Sequence, residues 1–205
     1  MADRPVPFPG EPAALRRALH WNARGLRYKA AGRYHAARRC YRRALRMLWD
    51  AGRRDGNDLA TLFHNLGGIA HALGEFVAGE AVARAGLRLR LAGPADAEMV
   101  AKDLIALAAL LDGQRRFDEA EQLYLIGLST LRRVPRRNEF EVAVALGGLG
   151  CQYAERGHLA AAVRLLARAA ELKERCLTAG HPSLLLTQRN LALARSPLPR
   201  KGSGA

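Results

Sequence analysis

The triplet Gly32-Arg33-Tyr34, followed by Ala37 and Ala44, decides how this chain folds. It returns as Gly74-Glu75-Phe76 with Gly79 and Gly86, as Arg115-Arg116-Phe117 with Ala120 and Gly127, and as Gly157-His158-Leu159 with Ala162 and Ala169. The steps, 32 to 74, 74 to 115 and 115 to 157, are 42, 41 and 42 residues. A turn residue, then a large apolar residue, then small residues at fixed offsets marks a helix that leaves a tight turn and packs closely on its neighbour. Self-similarity at a constant period means stacked units rather than one enclosed core.

Working outward from the triplets, each lies between two helical stretches. The first helix runs from about residue 12 to Ala31, with Pro12 in its first turn and Gly32 in the left-handed conformation that ends it. A second helix covers about 34–51. The break Gly52-Arg53-Arg54-Asp55-Gly56-Asn57 follows, and Asp58 reads as the N-cap of the next helix. Further helices are predicted near 58–73, 76–92, 96–113, 117–133, 138–156 and 159–178, then a terminal helix over 183–195. Gly93-Pro94-Ala95, Pro135-Arg136-Arg137 and Thr178-Ala179-Gly180-His181-Pro182 are the remaining long breaks. The domain reading is a flexible tail over 1–11 and a repeat domain over 12–195. Its units span about 15–52, 58–93, 96–134 and 138–178, with a capping helix at 183–195. A disordered tail takes up 196–205.

The first helix of each unit is apolar at spacings of three and four. Phe63, Leu66, Ile69, Ala70 and Leu73 show this in the second unit, and Leu104, Leu107, Leu110 and Leu111 in the third. Such a stripe is too wide for one partner helix and needs both its hairpin mate and the next hairpin to cover it. No segment alternates as a strand would.

Charge is unevenly placed. The chain carries a net +14. Residues 1–57 hold 14 Arg or Lys against 4 Asp or Glu, whereas residues 58–205 hold 19 against 15. Arg38, Arg39, Arg42, Arg43 and Arg46 form a basic patch on the second helix, backed by Arg16, Arg17, Arg24, Arg27 and Arg33. This patch reads either as the solvated cap that a terminal repeat needs or as a surface for an acidic partner, protein or nucleic acid. Nothing resembling a Walker loop, a GxSxG elbow, a dinucleotide fingerprint or a catalytic triad occurs, so no enzyme activity and no cofactor is expected. His64 and His71 stand seven apart, not the four that pairs metal ligands on one helix, and no nearby residue completes a set. Cys40, Cys151 and Cys176 form no paired framework and read as reduced thiols. The longest uncharged stretch, Leu59 to Gly74, is short and polar for a membrane span, and the start lacks a signal peptide. A cytoplasmic, bacterial protein is the expectation.

These residues resemble the tetratricopeptide repeat. Trp21, Gly25, Tyr28, Gly32, Tyr34, Ala37, Tyr41 and Ala44 match its pattern in the first unit, and Leu104, Leu107, Ala108, Leu111, Phe117, Ala120, Tyr124 and Gly127 in the third. The period of about 42 is similar to the longer-helix variety found in kinesin light chains. Asp58-Leu59-Ala60-Thr61-Leu62-Phe63-His64-Asn65-Leu66-Gly67 and the stretch from Gly180 to Ala192 look like that variety's first-helix start. Two slots depart from the pattern: Arg115 replaces the turn glycine, which implies another turn geometry there, and Arg24 replaces an apolar residue.

The resemblance implies an all-α, right-handed α-solenoid of four helical hairpins plus a C-terminal capping helix. It also implies a non-catalytic protein–protein interaction scaffold, with a peptide or helix of a partner on the concave face. The residues matching the family's ligand-holding Asn are Asn65 and Asn190; the third and fourth units have Ala106 and Gly148 instead. With them, Asn22, Lys29, His64, Lys102 and Arg189 are the expected polar contacts. Cys151 projects onto the same face. A nucleic-acid-associated regulator using the Arg-rich first hairpin is the alternative.

Overall fold

The computed structural model describes residues 13–53, 56–94, 96–134 and 138–196. Among them lie nine helices and no strand: α1 (Ala13–Ala30), α2 (Tyr34–Asp50), α3 (Asn57–Ala72), α4 (Phe76–Leu91), α5 (Ala97–Gly113), α6 (Phe117–Arg132), α7 (Glu139–Glu155), α8 (Leu159–Cys176) and α9 (Pro182–Arg195). They pair as four hairpins, α1 with α2 through α7 with α8, and α9 packs on α8. The first helices of successive hairpins also touch, α3 with α5, α5 with α7 and α7 with α9. The expected tails at 1–11 and, beyond Ser196, at 197–205 lie outside the described residues, as do Pro12 and the break at 135–137.

The small slots are where backbones meet. Ala37, Ala44, Ala120, Ala162 and Ala169 are all fully buried. At Gly79 a Cβ would stand 2.5 Å from Leu110 Cδ2, and at Gly127 it would stand 2.8 Å from Ile105 Cγ1. A side chain of the next unit thus fills the space left at Gly79, and one of the hairpin mate fills that at Gly127. Apolar residues merge into three clusters along the array. One lies over α1–α4, a second over α4–α8, and a third over α7–α9.

Two local expectations need correction. Asp58 is not the N-cap: α3 begins at Asn57 behind Gly56, whose φ of 96° turns the chain earlier. Asp58 sits in the first turn, where a carboxylate favours the helix dipole, and it pairs with Arg53 across the break at 3.4 Å. Arg115 does not adopt a different turn geometry. Its φ is 61°, beside 68° at Gly32, 74° at Gly74 and 82° at Gly157. The turn bonds are the same as well: Arg116 N–H donates to Leu111 O at 3.0 Å as Glu75 N–H does to Ala70 O at 2.9 Å. The hairpin geometry therefore overrides the residue's preference, at the strain a side chain meets in left-handed backbone. Arg115→Gly is expected to stabilise the protein by about 0.5–1 kcal/mol, the relieved strain being partly offset by glycine's greater unfolded-state freedom. A urea midpoint that stayed put or fell would count against this.

Candidate partner-binding face

The helix period places Asn22, His64, Asn65, Lys102, Cys151 and Asn190 on the first helices, where successive units adjoin. There they join neighbouring units. Asn65, 6% exposed, donates Nδ2–H to Asn22 Oδ1 at 2.9 Å, tying α3 to α1. His64 Nδ1 lies 2.8 Å from Asp103 Oδ1, tying α3 to α5. Lys102 Nζ meets Glu141 at 3.1 Å, tying α5 to α7, and Glu98 on its own helix at 2.7 Å. Asn190 donates to Cys151 Sγ at 3.1 Å, tying α9 to α7. A polar seam thus crosses all four junctions. Lys29 is half-buried over Gly68, and Arg189 is exposed.

Burial sets the protonation of several of these groups. It pushes the Lys29 amine down. It also pushes His71 down, helped by the nearby Lys29 charge. Around Lys102 burial opposes the charge, yet Glu98 and Glu141 outweigh it and hold the pKa above its ordinary value. The Cys151 thiol is pushed up by burial, so it stands as a neutral thiol rather than a reactive thiolate.

A cavity of about 400 Å³ opens among these first helices, with His71, Asp112, Gly148, Cys151 and Asn190 in its wall. Helix periodicity projects Asp112 onto this face, but its partners there are not legible in the sequence. That carboxyl is pushed up to about 7 by burial, against the Tyr124 hydroxyl that donates to it at 3.2 Å, with the Glu155 charge adding to the rise. Sequence reasoning missed Asp103, the carboxylate that completes a His64 contact from 39 residues away. Only the stacking of units brings these together. Among the described residues no group of three His, Cys, Asp or Glu is placed to hold a metal ion.

The basic patch occupies the outer end of the array. Arg38 pairs with Glu75 at 2.8 Å, while Arg39, Arg42, Arg43 and Arg46 are exposed. Arg43 lies 4.2 Å from the centre of the Trp21 ring, Arg24 sits 5.2 Å from Trp21 and 5.6 Å from Tyr28, and Arg33 is 4.9 Å from Tyr28. Arginines thus cover the aromatic faces that a preceding unit would cover in the interior.

Stacked antiparallel hairpins with a continuous inner row of helices define a helical-repeat solenoid. Residues 142–183 match the family model of the tetratricopeptide repeat. That stretch is thus similar to one tetratricopeptide repeat, and the chain as a whole has the fold of kinesin light chain-like repeat proteins. Its structure is similar to that of a Podosopora anserina putative kinesin light chain with nearly identical TPR-like repeats, at 18% identity and a TM-score of 0.62, covering 87% of this chain and 85% of that one. It is similar to BtubC (BKLC) from P. vanneervenii at 20% identity and a TM-score of 0.62, covering 90% and 84%. The apo form of RapI gives 17% identity and a TM-score of 0.60, covering 90% of this chain and 50% of that one. No curated protein sequence matches the chain. No helix among the described residues is long and apolar enough to cross a membrane.

Proposed function

We propose that the chain is a non-catalytic, cytoplasmic scaffold that holds a peptide or helix of a partner protein along the face made by α3, α5, α7 and α9. The observation that carries this reading is the cavity of about 400 Å³ among those helices, which combines apolar walls with a few convergent polar groups. Lys102 and Asn65 border this face, each tying two units, so they fix its curvature as well as its polarity. Affinity capture with the full chain from its source cells supplies the partner. Asn65→Ala with Lys102→Ala, which removes two of the ties that shape the face, is then expected to weaken its binding about tenfold, while far-UV helicity is retained. Equal affinity of the double variant for that partner would remove the groove assignment.

The nucleic-acid reading is less well supported, because the Trp21 and Tyr28 rings are already covered by Arg24, Arg33 and Arg43 and leave little face for a base. The same arrangement supports a solvated cap. Were duplex or single strands bound by phosphate contacts, affinity would fall steeply with salt, so a titration at two salt concentrations separates the two readings.

A further inference from the structure

The cavity among the first helices runs against the charge of the chain. In a protein of net +14, its unsatisfied groups are acceptors. Asp112 accepts from Tyr124 at Oδ2, but its buried Oδ1 has no hydrogen-bond partner among the described residues. Gln152, 1% exposed, donates Nε2–H to Phe117 O, and its buried Oε1 likewise has none. Glu155 adds a carboxylate at the rim, where Arg115 reaches it at 3.2 Å. The nearby donors are already committed. Lys173 Nζ donates to Ser183 O at 3.2 Å and Thr187 Oγ1 at 2.7 Å, and Asn190 Nδ2 to Cys151 Sγ. A buried acceptor left unmade is unfavourable, so the cavity is shaped by chemistry to receive donors.

Space is provided at the same place. A side chain at Gly148 would run into the Tyr124 hydroxyl, so glycine there keeps both the opening and the Tyr124–Asp112 bond. Phe76 and Leu186 give the wall apolar surface for an aliphatic stem.

We propose that this cavity is the subsite for a basic side chain of the partner, an arginine above a lysine, whose guanidinium donates to Asp112 Oδ1 and Gln152 Oε1 beside the Glu155 carboxylate. The inference rests on the scaffold reading and names the chemistry its partner must carry. A guanidinium brings five donors in a planar fork and an ammonium three, so two separate acceptors favour arginine.

The subsite is pH-dependent. Asp112 ionises near 7 in the empty protein, and a bound cation favours its ionised form. The titratable groups facing it are His71 from α3, Tyr124 from α6, Cys151 and Glu155 from α7 and Lys173 from α8. Burial raises Tyr124 and Cys151 and keeps them neutral, and lowers His71 and Lys173. Affinity for the cation therefore rises as pH rises through Asp112's titration.

The test is a titration of the full chain with N-acetyl-arginine amide and with its uncharged isostere, N-acetyl-citrulline amide, read from the backbone amide signals of Gly147 and Gly148. The arginine probe is expected to bind about tenfold tighter than citrulline, to lose about tenfold on Asp112→Asn, and to gain several-fold between pH 6 and 8, as befits a charge-assisted pair. Glu155→Gln, at an exposed position, should lose a smaller part and keep the fold. Equal binding of both probes, or an unchanged response in Asp112→Asn with native helicity, overturns the inference. A displayed random-peptide library selected on the full chain distinguishes its failure from that of the scaffold reading. Binders that lack Arg and Lys, and bind Asp112→Asn equally well, overturn the subsite alone. A library that yields no binder overturns both.

Discussion

Arg90→Met is expected to destabilise the protein by about 3–5 kcal/mol, because it leaves a buried carboxylate without its main counter-charge. Arg90 is 1% exposed and Asp103 4%. Arg90 Nε lies 2.5 Å from Asp103 Oδ2, and His64 holds the other oxygen. Arg90 Nη1 also reaches Asn57 Oδ1 at 3.4 Å, so this one side chain links α4 to both α3 and α5. Removing it strands Asp103 in the interior with only a histidine. The double variant Arg90→Met, Asp103→Leu takes away both charges and should recover at least half of the loss, since replacing a buried pair by apolar side chains is often neutral. Urea denaturation of the two variants decides it. If the double variant were as unstable as the single one, the loss would stem from packing and not from an unpaired charge.

Tyr41→Ala is expected to remove a similar amount, about 3–5 kcal/mol, by emptying a large volume that the surroundings cannot refill. Tyr41 is fully buried and belongs to the cluster over α1–α4. Its ring lies flush against Gly25 of the hairpin mate, where any Cβ would collide with it. Its hydroxyl is buried without a hydrogen-bond partner among the described residues, and burial pushes its pKa up to about 12, so it stays neutral at every pH of interest. Tyr41→Phe should therefore be neutral or slightly stabilising, as the unmet polar group is removed at no loss of packing. The contrast between the two variants in thermal melts is the measurement. A destabilising phenylalanine would mean that the hydroxyl has a partner after all.

These two positions were not equally legible. Gly25 and Tyr41 sit in slots of the repeat pattern, which marks where small residues let helices approach closely; that the Tyr41 ring fills the space at Gly25 appears once the hairpin forms. Helix ends followed from the glycines after α1, α3 and α7 in the same way. Arg90 was hidden. It lies among Arg84 and Arg88 on a helix whose cations look solvent-facing, and its partner stands 13 residues away in the next unit. Single-helix periodicity carries no information about a contact that exists only once hairpins are stacked. The candidate face shows the same divide. Asn65 and Asn190 are picked out by their slots, yet their ties to Asn22 and Cys151, and the partners of Asp112 and Gln152, depend on how units adjoin. Arg115 failed for the opposite reason: local preference pointed one way, and the packing of the hairpin imposed the other.

The seam across the junctions has a consequence for how such a chain could be rearranged. Its four ties are chemically different: amide to amide, imidazole to carboxylate, ammonium to carboxylate, and amide to thiol. The apolar slots alone would let any unit follow any other. The ties weight that order, because Lys102, which meets Glu141, would face a neutral carboxamide instead of a carboxylate at a junction of the Asn22–Asn65 kind. The seam thus favours the present succession of the hairpins through the charge that each junction holds.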